Sequence, residues 1–262
     1  MIERFKIHFN VLMGEAKLSY ISTKRYGVNW LVGIINLLLF LIFIQLGIYS
    51  FQTGLSQNYI NGKIETLIIG FFAFSIIGMA ITTISSRISE GATTGVLEHT
   101  MLSPIGSTNV LLYYAVVQFL FAIIVYFLLL PVSMLICRHF FVINIAKLIF
   151  YTISLWIASC SVGFVLGALT LIYKRTQNFI NLLQFVILTL MILPSYPFNY
   201  FSLIPISPQS SALMNSITGK NDISLGFNLY IYLQSIACLY ISLKIFKEAE
   251  KYVKIKGILG QY

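Results

Sequence analysis

A chain of 262 residues, 58% hydrophobic and only 10% charged, cannot be an ordinary water-soluble domain. Soluble domains carry about 25% charged residues and have no interior large enough for so much apolar surface. The mean hydropathy of +0.88 makes lipid the natural solvent, and the net charge of +9 reads as basic segments against anionic headgroups, with no nucleic acid as partner.

In chain order, residues 2–20 are expected to form a helix lying flat on the membrane. Ile2, Phe5, Phe9, Leu12, Ala16 and Tyr20 recur at steps of three and four, and Glu3, Arg4, Lys6, Asn10, Glu15 and Lys17 take the other side. That is the pattern of an interfacial amphipathic helix, although a cytoplasmic helix packed on a partner would show the same stripe. Residues 1–27 are too polar to open a cleavable signal peptide, and none is expected.

Six windows then lack Asp, Glu, Lys and Arg altogether: 26–62, 66–86, 99–137, 148–173, 176–219 and 223–243. About 20 apolar residues cross a bilayer as a helix. The expectation is an all-α integral membrane protein, with six transmembrane helices near 28–50, 65–86, 108–136, 146–172, 179–194 and 224–245 inside a membrane domain 28–246. Pro194 and Pro197 leave the end of the fifth span open. Runs such as "LLLFLIFI" do not alternate as a transmembrane β-barrel strand must. Six spans put both ends on one side. With the ends inside, the inner segments hold thirteen Lys and Arg (1–27, 87–107, 174–178, 244–262), and the outer ones hold four (Lys63, Arg138, Lys147, Lys220). The positive-inside rule therefore predicts a multi-pass plasma-membrane protein with both termini cytoplasmic, ending in a basic tail, 247–262.

Three features within this frame call for comment. Ser159, Gly163 and Gly167 form a small-xxx-small row on the fourth span, which lets a second helix approach closely. Asn36, Gln118, Gln184 and Gln234 are large amides at membrane depth and are candidates for a translocation path; bonding to neighbouring helices is the competing role. The outer segment 195–222 holds Phe198, Tyr200, Phe201, Leu203 and Ile204 but few charges, so it is expected to fold back into the outer leaflet as a re-entrant element between spans five and six.

Catalytic patterns are missing. The sequence holds no GxxxxGK(S/T) phosphate loop, no HExxH, no GxSxG and no CxxC. Its three cysteines and three histidines are scattered, so no disulfide framework and no metal site are expected. No carboxylate sits deeper in a span than Glu65, the first residue of the second, which argues against a proton-driven pump.

The stretch "SRISEGATTGVLEHTMLSPIG", 86–106, is the one compact polar island between two long apolar runs. Read as a helix, it places Glu90, Thr94 and Glu98 on one face, and Ser103-Pro104 stops it before the third span. It is longer than a plain connection needs to be. Glu90, Gly95, Leu97, Glu98, Leu102, Ser103 and Pro104 resemble the signature of the permease subunits of type-2 ATP-binding cassette (ABC) exporters; Val96 and Ser107 fit less closely, and Thr94 precedes the glycine instead of following it. The resemblance implies that 87–105 is a cytoplasmic coupling helix seated in a cleft of a separate ABC ATPase, with Arg87, Glu90, Thr94, Leu97, Glu98, Met101 and Pro104 at that interface. It implies that the helix at 2–20 is the family's connecting helix, and that a second permease subunit completes a homodimer or related heterodimer. ATP and Mg would be bound by the ATPase, and this chain would hold no cofactor and catalyse nothing itself. A charge-free interior fits export of an amphiphile: a drug, an antimicrobial peptide, a lipid or a glycolipid. The usage rich in Ile, Asn, Lys and Tyr fits an AT-rich bacterial genome. A membrane immunity protein that sequesters a toxin, and an ion-coupled secondary transporter, are the alternatives.

Overall fold

The computed structural model describes residues 2–51, 57–138, 140–173, 176–217 and 223–256, and the side chains of 6–28, 30–44 and those from 64 onward within these ranges. Lys220, the basic pair 174–175, the last part of the outer segment (218–222) and the end of the tail (257–262) lie outside them, as does the side chain of Lys63. Among the described residues there are helices and no strands: α1 (Ile2–Arg25), α2 (Gly27–Phe51), α3 (Gln57–Thr93), α4 (Val96–Met101), α5 (Ser107–Cys137), α6 (Ile145–Tyr173), α7 (Gln177–Ile192), α8 (Ser207–Ile217) and α9 (Leu225–Lys256), with a 3-10 turn at Tyr200–Leu203.

Four of these helices are long and apolar enough to cross a membrane: Ile64–Thr93 of α3, α5, α6 and α9. A fifth candidate arises if α1 and α2 are one span bent by 80°. The expected fifth span is α7, which has only 16 residues. At about 1.5 Å per residue it falls short of a hydrocarbon core about 30 Å thick.

Helix α6 is the centre of the bundle, packed along α9 on one side and α3 on the other. The small-residue row on α6 explains the closeness of the second seam. A Cβ on Gly163 would lie 2.6 Å from the Ala80 carbonyl oxygen of α3, and one on Gly167 would lie 2.5 Å from Ile84 Cγ2. Leu155, Ala158 and Phe164 of α6 are fully buried beside Ile81 and Ile84 of α3. On the α9 side, Tyr151 Oη donates to Asn228 Oδ1 at 2.9 Å, Ser235 Oγ donates to the Ser154 carbonyl at 3.2 Å, and Phe164 packs edge-on to Phe246. Rising numbers pair with rising numbers in both seams, so α3, α6 and α9 run parallel. Their C-terminal ends gather at one end of the molecule, together with α4 and the start of α5.

The segment after α7 folds back on the bundle through α8. Ser207, Gln209, Ser210, Ala212 and Leu213 are buried against α3, α6 and α7. The hydroxyls that make α8 look polar in sequence turn inward: Ser210 Oγ donates to the Met191 carbonyl at 3.1 Å, and Gln209 Nε2 donates to Ser235 Oγ at 2.9 Å. Of the apolar residues in this segment, Tyr200 is 90% and Phe201 42% exposed, and Ile204 is half-buried. In detergent-solubilised protein, a cysteine replacing Ala212 is therefore expected to react with a polar thiol reagent more than about tenfold more slowly than one replacing Tyr200, since local opening must come first. Equal rates would show that α8 is not packed in the bundle.

Two boundaries differ from expectation. Residues 247–256 of the expected tail belong to α9, which continues unbroken to Lys256 with Ala249 and Val253 buried. Likewise, 87–105 is not one helix. Helix α3 runs on to Thr93, and Gly95 at φ 73° breaks the chain before the short α4 begins. A positive φ is cheap only for glycine. Glu90, Thr94 and Glu98 thus do not share a helical face.

Candidate functional site

Helix α4 is one and a half turns of chain standing at the end of the bundle. Its inner side is apolar: Leu97 and Met101 are each 4% exposed and pack with Ile88 of α3, Leu111 of α5, Phe246 and Val253 of α9. This corrects the assignment of these two residues to an external interface, since their side chains are occupied within the chain. The outward side carries Val96, Glu98, His99 and, just past the helix, Leu102. Leu102 is 80% exposed, beside Ser103 and the exposed Pro104. Gly106 at φ 85° then turns the chain into α5.

The C-terminal turns of α9 hold α4 in place. Lys254 Nζ donates to the Met101 carbonyl at 3.1 Å and pairs with Glu250 Oε1 at 2.7 Å. Glu250 is 8% exposed, and its other oxygen accepts from Thr108 Oγ1 at 3.4 Å. A lysine at the last carbonyls of a helix also meets the negative end of its dipole. One Glu–Lys pair on α9 thereby ties the end of α4 to the start of α5. The sequence shows the pair only as an i, i+4 couple of the kind common on solvated helices; its partners lie far away in the chain.

A second set of contacts docks α1 here. His8 Nδ1 and Tyr113 Oη are 2.8 Å apart, Gln118 Nε2 donates to Ser19 Oγ at 3.3 Å, and Arg87 Nη2 lies 3.6 Å from Glu15 Oε2. The Arg87 guanidinium also sits 4.7 Å from the centroid of the Tyr114 ring. Arg87 therefore faces α1 and α5. The docked side of α1 combines His8, Glu15 and Ser19 with the half-buried Leu12 and Ala16 of the expected apolar stripe, while Phe9 and Tyr20 of that stripe remain open, 53% and 60% exposed. Burial pushes the Glu15 carboxyl above its usual value of 4.5, and Arg87 pulls it part of the way back. A folded carboxyl that holds its proton more tightly than the unfolded one loses stability as pH rises from 4.5 through the raised value. Glu15→Gln is expected to abolish that slope, read as apparent Tm from about pH 4 to about pH 8. The same slope in both proteins would show that Glu15 is not the group responsible.

No protein-family model matches the chain, and no curated protein matches it.

The four amides do not come together. Asn36 is exposed on α2. Gln118 fastens α1 to α5. Gln184 of α7 lies against Gly78 of α3, 3.9 Å from where a Cβ would stand. Gln234 donates to the Ser202 and Leu203 carbonyls at 3.0 and 2.9 Å, stapling the 3-10 turn to α9. Three of the four sit in three different seams, and two of them, Gln118 and Gln234, tie segments together by hydrogen bonds. Of the residues read as coupling positions, Glu90 and Glu98 are exposed, and Thr94 Oγ1 is turned back onto the Glu90 carbonyl at 2.8 Å.

Proposed function

We propose that this chain is the membrane permease subunit of a type-2 ABC exporter, moving an amphiphilic or hydrophobic substrate outward with energy from a separate cytoplasmic ATPase. The reading rests on the motif "EGATTGVLEHTMLSPIG" and on the observation that its short helix α4 is clamped to the bundle on one side and open on the other. A force-receiving element needs both properties. Lys254 and Glu250 and the cluster around Leu97 would carry displacement of α4 into α3, α5 and α9, and Val96, Glu98 and Leu102 would meet the ATPase. The docked α1, joined to Arg87 at the end of α3, would be moved with it. In this reading the α4 end is cytoplasmic and the chain crosses the plasma membrane six times; because α6 and α9 run parallel, the return between them is made by the short α7 together with the residues that follow it. A second permease subunit completes the assembly, and ATP and Mg belong to the ATPase chain. Affinity purification of the tagged chain from its native membrane is expected to recover an ATPase with a phosphate loop in about equal amount. Recovery of the chain without one, under conditions that preserve other membrane complexes, would reject the proposal.

A further inference from the structure

At the end of the molecule remote from α4, the segment 193–203 meets the start of α9. Counting α9 from Tyr230 to Val253 puts the two ends about 35 Å apart. Here Tyr196, Phe198, Phe227 and Tyr230, with Pro197 and Ser224, line a recess of about 350 Å3 that is open at the surface. That is the volume of a small-ligand site. The four rings follow one another in contact. Tyr196 and Phe227 have centroids 4.9 Å apart at 71°, Phe227 and Tyr230 are 6.0 Å apart, and Tyr230 and Phe198 are 5.1 Å apart at 82°. No Asp, Glu, Lys or Arg lines the cavity among the described residues.

The walls are held before any ligand arrives. Tyr230 Oη donates to the Ser202 carbonyl at 2.7 Å, which satisfies its polar tip and fixes its ring. Gln234 grips the same carbonyl and that of Leu203, so the loop carrying Tyr196 and Phe198 is tied to the helix carrying Phe227 and Tyr230. Phe227 is only 6% exposed and anchors the floor.

The chemistry of such a cavity follows from what it offers beyond the bilayer around it. A neutral apolar molecule gains little by leaving hydrocarbon for another apolar space. A bulky, weakly hydrated cation gains the negative faces of several rings, which hydrocarbon lacks. The described residues offer aromatic faces and no carboxylate there, a lining that suits a weakly hydrated cation better than a compact, strongly hydrated ammonium. We propose that this aromatic cavity binds a trimethylammonium group, carried by a choline lipid headgroup or by a free quaternary ammonium compound. The proposal does not depend on the ATPase reading.

The test uses the full chain in nanodiscs of phosphatidylglycerol and phosphatidylethanolamine, titrated with choline and with its neutral isostere 3,3-dimethylbutan-1-ol, and read by saturation-transfer NMR. Choline is expected to bind about tenfold more tightly than the isostere, the size of a partly desolvated cation–π contact. Phe198→Ala, at a ring 62% exposed, is expected to keep the fold and the thermal midpoint while weakening choline about fivefold or more. Phe201→Ala in the neighbouring turn should change nothing. Replacing the discs by phosphatidylcholine separates the sources: loss of choline binding identifies the headgroup as occupant, and retained binding identifies a free cation. Equal affinity for choline and its isostere, or unchanged choline affinity in folded Phe198→Ala, would overturn the proposal.

Discussion

Leucine in place of Gly163 is expected to open the seam between α3 and α6 and to cost more than about 3 kcal/mol, the upper end of ordinary overpacking. The magnitude follows from what stands in the way. The first added carbon already lies 2.6 Å from a backbone oxygen and 3.3 Å from the Ile81 Cα, so no side chain can turn aside to admit it. Alanine should reproduce part of the loss. Gly33 of α2 supplies the contrast, because a Cβ there meets nothing within 4 Å, and Gly33→Ala should be neutral or gain up to about 1 kcal/mol from the lower helix propensity of glycine. Apparent Tm of the purified variants in one detergent distinguishes the two sites. A Gly163→Leu protein as stable as the parent would mean that the helices are not packed as described.

The second large effect concerns α4 and separates its two faces. Leu97→Ala should cost about 2–5 kcal/mol of stability, as buried leucines do, whether or not an ATPase is present. Leu102→Asp should leave stability within about 0.5 kcal/mol, as exposed positions do, yet lower retention of the ATPase about thirtyfold, the loss of an anchor worth about 2 kcal/mol. Glu98→Arg should weaken retention less, since a rim charge acts mostly on association rate. The split is the informative result. If Leu102→Asp retained the ATPase fully while remaining folded, the outward face of α4 would not be its seat.

How far the fold was legible follows the range of the interactions. The apolar windows gave α2, α3, α5, α6 and α9 because hydropathy is a local signal, and the row Ser159, Gly163, Gly167 marked the closest helix contact because small side chains matter at that spacing alone. Gly95 was visible as a residue, but its left-handed turn was not, and with it went the supposed common face of Glu90, Thr94 and Glu98. The burial of Glu15 on α1 was not legible for a different reason. Periodicity ranks Glu15 with the solvent-facing residues, and only the approach of Arg87, 72 positions later and 3.6 Å away, makes its burial tolerable. Gln118 and Gln234 are legible in the sequence as large amides at membrane depth, candidates for a path as much as for bonds between helices. Their partners, Ser19 and the carbonyls of Ser202 and Leu203, lie too far along the chain for any pattern in the sequence to supply. The same holds for Lys254 on the Met101 carbonyl, the contact that fixes the candidate site.

The central claim is that the outward face of α4 is where an ATPase pushes on this bundle. Photo-crosslinking tests it most directly, with a benzophenone amino acid placed in turn at Val96, Leu102 and Tyr200 of the chain in its native membrane. The account predicts a crosslink to one ATPase chain from Val96 and Leu102 and none from Tyr200, whose end of α9 is remote from α4. Crosslinks to the ATPase from Tyr200, or none from either α4 position while the two proteins co-purify, would contradict it.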